Sequence, residues 1–103
     1  MSGPTPEDLE HLPSLDYALP KVAVTRPGGI TLDVELYGAA MVTLQSAGRP
    51  TIPLGAFTRL LGAAGFPRRF WKSNGGRVHY YKGLDLLDDA PANPRRTTLP
   101  DAA

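Results

Sequence analysis

Apolar positions recur at two different periods along this chain, and the change of period marks its elements. Val34, Tyr37, Met41, Leu44 and Gly48 fall at alternating three- and four-residue steps. That spacing puts one apolar stripe on a helix of about residues 33–47. Asp33 stands where a cap is wanted, and Gly48 where a helix end favours a left-handed residue. Gly38 inside this helix costs about 1 kcal/mol relative to alanine. Phe57, Leu60, Leu61 and Ala64 lie at i, i+3, i+4 and i+7, which predicts a second helix over residues 53–64. Pro53 suits its first turn, Gly65 ends it and Pro67 prevents its continuation.

From residue 68 to 84 the period becomes two, around Asn74-Gly75, a favoured hairpin turn. Centring the turn there pairs Ser73 with Gly76, Lys72 with Arg77, Trp71 with Val78, Phe70 with His79 and Arg69 with Tyr80. One face then carries Trp71, Val78 and Tyr80, which are assigned to the core against the helices. The other carries Phe70, Lys72, Arg77 and His79, with Arg68 and Tyr81 further down.

The N-terminal third is less regular. Thr5 as N-cap, Pro6 at the first helical position, and Glu7 and Asp8 near the positive end of the dipole predict a short helix over residues 5–12. Pro13 should end it. Ser14 then caps a further turn, Leu15 to Leu19, stopped by Pro20. Turns this short hold only if Leu9, Leu12, Leu15, Tyr17 and Leu19 dock on the main unit, and a disordered acidic arm is the alternative. Alternation at Val22 and Val24, then Ile30, Leu32, Val34 and Leu36, about Arg26-Pro27-Gly28-Gly29, is a second hairpin pattern. The expected division is an acidic arm at 1–20, a domain at 21–88 and a disordered tail at 89–103.

Charge changes this picture. The net charge of +1 over 103 residues sums −4 for residues 1–35, +7 for 36–84 and −2 for 85–103. Between Leu36 and Leu84 there is no acidic residue, yet seven of the eleven Lys and Arg residues lie there. A segregated positive block with aromatics in it points to a polyanion. Lys72 and Arg77 would face each other across the ladder, an unfavourable pairing unless an anion neutralises it or both side chains splay into water.

Other chemistry is not suggested. There is no cysteine, and His11 and His79, the two histidines, have no metal-ligand spacing. Acidic residues are scattered, no Ser/His/acid set has a supporting motif, and no phosphate-binding loop is present. The expectation is a non-enzyme without a cofactor. The N-terminus lacks the features of a signal peptide and no apolar run approaches a membrane span, so a cytoplasmic protein is expected.

Two helices and a basic hairpin match the charge distribution of a winged helix. The expected fold class is therefore α+β, a small winged-helix-like domain of helices packed with a C-terminal two-stranded basic β-hairpin, its termini flexible. Arg68, Arg69, Lys72 and Arg77 would take phosphate, and Thr58 and Arg59 would read base edges. Asn74, His79 and Lys82 complete the candidate site. The expected partner is DNA, duplex in preference to single-stranded. A replication or host protein bound through the same surface is the alternative.

A resemblance bears on the same stretch. Tyr37, Gly48, Phe57, Gly65-Phe66, Gly75-Gly76, Val78, Tyr81, Gly83 and Leu86 resemble the C-terminal winged-helix segment of phage, plasmid and poxvirus-type primase–helicases. The resemblance covers about residues 36–86. It implies nucleic-acid binding by a protein of a phage or mobile element, in replication, excision or transcription control. No primase or ATPase region is present, so neither activity carries over.

Overall fold

Thr5 opens the first helix as its residue type suggests. In the computed structural model of the chain, which describes residues 3–88 and residue 90, α1 runs Pro6–Leu9. The Asp8 N–H donates to Thr5 Oγ1 at 3.1 Å and the Thr5 N–H donates to Asp8 Oδ2 at 2.9 Å. This reciprocal capping box satisfies two donors that would otherwise be orphaned. The tail expected at 89–103 lies outside the described residues apart from residue 90.

The next segment departs from its proline signals. Helix α2 spans Leu12–Val22, with Pro13 in its first turn and Pro20 inside it. Pro13 opens a helix instead of closing one, because a first-turn proline lacks only an N–H that has no intrahelical partner anyway. Pro20 does not stop the helix because burial outweighs the lost bond. Leu15, Ala18 and Val22 are all buried, facing the third helix. Of the two alternatives for this segment, docking holds through Leu15, with Tyr17 and Leu19 partly buried, whereas Leu9 and Leu12 are exposed.

The pattern read as a second hairpin is a single strand. β1 runs Ala23–Leu32 and pairs antiparallel with the last strand, not with itself. Val22 belongs to α2, so too little is left for a first arm. Residues 26–29 form an irregular bulge between the pairs Thr25↔Leu84 and Ile30↔Lys82. Gly29 is required there, since a Cβ would lie 2.9 Å from the Leu84 carbonyl oxygen.

Helix α3, Asp33–Ser46, forms where its spacing predicts, but its buried stripe is rotated. Leu36, Ala39, Ala40, Met41 and Leu44 are buried, whereas Val34 is 75% exposed. Asp33 does not cap the helix. Leu32 holds the cap position without a side-chain bond, and Asp33 is buried in the first turn. Helix α4, Leu54–Ala63, buries Ala56, Phe57, Leu60 and Leu61 and leaves Ala64 exposed. Both helices end at the expected glycines, Gly48 (φ +70°) and Gly65 (φ +101°). The following residue closes each end, Arg49 N–H donating to the Leu44 carbonyl and Phe66 N–H to that of Leu61, both at 2.9 Å.

Strands β2 (Arg68–Ser73) and β3 (Gly76–Leu86) pair in the register their alternation predicts, residue for residue from Ser73↔Gly76 to Arg69↔Tyr80. Addition of β1 makes a three-stranded antiparallel sheet in the order β1-β3-β2, where two strands were expected. The whole is an α+β fold of four helices and this sheet. Phe57 stands at its centre, edge-on to Tyr37 (5.2 Å) and to Tyr81 (6.4 Å).

The core face of the hairpin is the opposite of the one expected. Tyr81 is fully buried, Tyr80 is half-buried and Trp71 is 42% exposed. Gly83, at φ +95°, stands opposite the β1 bulge at residues 26–29, and across it Tyr81, Leu84 and Leu86 all face the helices although they do not share strict alternation. A residue with a Cβ is strained in that conformation.

Candidate nucleic-acid interface

The α4 candidates are drawn inward. The Tyr81 hydroxyl donates to Thr58 Oγ1 at 3.3 Å. Arg59 makes a two-pronged pair with Asp8, Nε donating to Oδ2 at 2.5 Å and Nη2 to Oδ1 at 3.0 Å. Helix α1 therefore straps onto α4 and occupies the side chain expected to read bases. The outward positions of α4 that remain are Leu54, Gly55, Gly62 and Ala63, small or apolar.

Arg68 is also engaged. Its Nη1 donates to Asp33 Oδ2 at 3.3 Å, beneath the start of α3. The other Asp33 oxygen is buried without a hydrogen-bond partner among the described residues, in the first turn of α3, where the helix dipole favours a negative charge. Outside the predicted set, Arg26 pairs with Asp85.

Of the other described cations, Lys21 and Arg49 lie over the Tyr17 ring at 3.8 and 4.0 Å, and the remaining four are on the hairpin. Arg69, Lys72, Arg77 and Lys82 are exposed, and none of the four has a carboxylate within ion-pair distance among the described residues. Lys72 and Arg77 sit directly opposite each other next to the turn, as the register requires. The Arg77 guanidinium lies over the Phe70 ring at 4.7 Å, and Phe70 packs against His79 at 5.9 Å. Asn74 is exposed at the turn. Lys72, Arg77 and His79 thus share one face near the tip with a half-exposed Phe70. Arg69 and Lys82 lie on the opposite face with Trp71 and Tyr80.

Two groups have displaced acidities. The Arg59 guanidinium, aided by the Thr5 N–H, holds the Asp8 carboxyl well below the usual carboxylate range. Burial pushes the Tyr81 hydroxyl well above its ordinary value, against the opposing effect of its bond to Thr58. Tyr81 therefore stays neutral and serves packing. For Asp8 the native carboxyl is the stronger acid, so its contribution to stability is full above the unfolded value of about 3.9 and fades as pH falls below it. Urea denaturation at neutral and acid pH should show Asp8→Asn less stable than wild type at neutral pH. The loss on acidification below about pH 4 should be shallower in the variant. Equal acid limbs in the two proteins would show that the Asp8–Arg59 pair does not hold α1 on α4.

The sequence pattern missed Trp71 and Tyr80 as surface residues. Gly83 was the available signal, because a glycine inside an alternating strand marks a bulge that shifts the face. Among the described residues no three His, Cys, Asp or Glu side chains are grouped to hold a metal ion. No described helix is long and apolar enough to cross a membrane. No family model, curated protein or solved structure matches the chain.

Proposed function

We propose that this chain is a winged-helix protein that binds double-stranded DNA mainly through its β2–β3 hairpin. The observation that carries the reading is the set of four uncompensated cations on that hairpin, while Arg26, Arg59 and Arg68 are matched with Asp85, Asp8 and Asp33. Like charges placed opposite each other across a ladder are unfavourable in isolation and favourable around a phosphate. The order helix, β1, α3, α4, β2, β3, with β3 central in the sheet, supports a winged helix with the hairpin as its wing. The resemblance of residues 36–86 to primase–helicase C-terminal segments points the same way, towards a mobile element's DNA transactions.

With Thr58 and Arg59 engaged internally, α4 offers a groove few hydrogen-bonding side chains. Contact is then mainly to phosphate, with little discrimination between sequences. The test is a mobility-shift titration of a duplex across a salt series. The two phosphate contacts of Lys72 and Arg77, which share the tip face, give a slope of log affinity on log salt of about −1.8, so a rise from about 50 to 200 mM salt should weaken binding roughly tenfold. Salt-independent binding, or no binding at low salt, would reject the proposal.

The outer face of α4 favours a second reading. Leu54, Gly55, Gly62 and Ala63 form a smooth surface that suits close approach of another protein. A protein partner whose affinity falls on Gly62→Lys but not on loss of Lys72 and Arg77, with no duplex shift, would favour that reading.

A further inference from the structure

We infer that the outer face of the β1-β3-β2 sheet is a stacking platform for unpaired nucleic-acid bases. This face is separate from the Lys72–Arg77 tip. It carries Trp71 against Tyr80, ring centroids 4.6 Å apart, and further along the same face Ile30, 52% exposed. In the ladder Arg69 lies directly beside Tyr80, and Lys82 lies directly beside Ile30. Both cations are exposed and have no carboxylate partner among the described residues.

The chemistry selects the occupant. An exposed aromatic plane set between unneutralised cations matches a ligand with flat apolar surfaces and regularly spaced negative charges. Unpaired bases on a phosphate backbone are such a ligand. A duplex is not, because its base planes are stacked inside and unavailable to Trp71. A second copy of this face would set Arg69 and Lys82 against like charges. Stacking tolerates any base, so the platform is indifferent to sequence. The inference shares with the proposed function only the claim that the hairpin meets nucleic acid. A protein with both surfaces could hold a duplex at the tip and a displaced strand on the sheet.

Trp71 is the chain's single tryptophan, so its fluorescence reports on this face alone. The full chain is titrated at low salt with oligo(dT) of about twenty nucleotides, and separately with a duplex of similar length, following both fluorescence and anisotropy. The expected result is saturable binding of oligo(dT) with quenching of Trp71. Trp71→Ala with Tyr80→Ala should weaken oligo(dT) binding about tenfold or more and leave duplex affinity within about twofold. Trp71→Phe, which keeps an aromatic plane, should retain most of the affinity. Circular dichroism melts check that each variant is folded, and Trp71→Ala alone, followed by anisotropy, carries the test if the double variant is not. The inference is overturned if oligo(dT) does not bind, binds without quenching Trp71, or binds equally well to the folded alanine variants. It is also overturned if the protein dimerises through Trp71. Duplex failure with oligo(dT) binding intact sinks the duplex proposal and leaves this one standing.

Discussion

Tyr81→Ala should destabilise the protein by about 3–5 kcal/mol, while Trp71→Ala on the same hairpin should cost only about 1 kcal/mol. The contrast follows from position in the sheet. Tyr81 is fully buried, edge-on to Phe57, and its hydroxyl reaches Thr58 on α4. Truncation removes a whole aromatic ring from the junction of hairpin and helices and leaves the Thr58 hydroxyl without its donor. A domain of this size has about 5–15 kcal/mol of stability in total, so the loss is a large share of it. Trp71 keeps much of its surface in water and touches chiefly Tyr80. Truncation there loses one aromatic pair and opens no cavity. Denaturant titration of both variants, compared at the same slope, measures the difference. Equal costs, or a larger cost for Trp71, would show that the hairpin presents the other face to the helices.

The second large effect concerns binding without loss of folding. Lys72→Ala combined with Arg77→Ala should flatten the salt dependence of duplex affinity by about two units of slope. If the two contacts act through counterion release, affinity falls roughly fiftyfold at about 0.1 M salt. The same change removes two like charges facing each other across the ladder, so stability should hold or rise by about 0.2–1 kcal/mol. A site kept for stability alone would show the reverse pattern. Duplex titrations over a salt series, run beside thermal melts, read both quantities. Unchanged slope in the double variant would mean that these side chains meet only water.

Much of the fold was legible because the signals are local. The turn at Asn74-Gly75 together with alternation set every pair of the β2–β3 ladder. Spacing of Phe57, Leu60 and Leu61 identified the buried face of α4, and Gly48 and Gly65 marked both helix ends. Thr5 and Asp8 close their capping box within a single turn. Each of these depends on residues a few positions apart.

The misreadings share a different cause. Prolines 13 and 20 are break signals in the sequence, yet α2 contains both because Leu15, Ala18 and Val22 are buried against α3. The Arg26-to-Gly29 turn became a bulge because β3 offered β1 a partner. The candidate site changed most. Arg59 and Arg68 read as free cations, but their partners Asp8 and Asp33 lie 51 and 35 residues away in sequence. No local pattern announces such pairings.

The sequence alone sets helices α3 and α4, the register of the β2–β3 hairpin and the concentration of positive charge between residues 36 and 84. Short-range forces settle these: periodic burial, capping and turn conformation act over one or two turns of chain. Long-range packing set which hairpin face is core and which cations stay unneutralised. Both depend on contacts between remote segments, the β1 bulge opposite Gly83 and the three acidic residues that reach Arg26, Arg59 and Arg68. A basic stretch in sequence thereby became two distinct surfaces, the Lys72–Arg77 tip and the Trp71–Tyr80 sheet face.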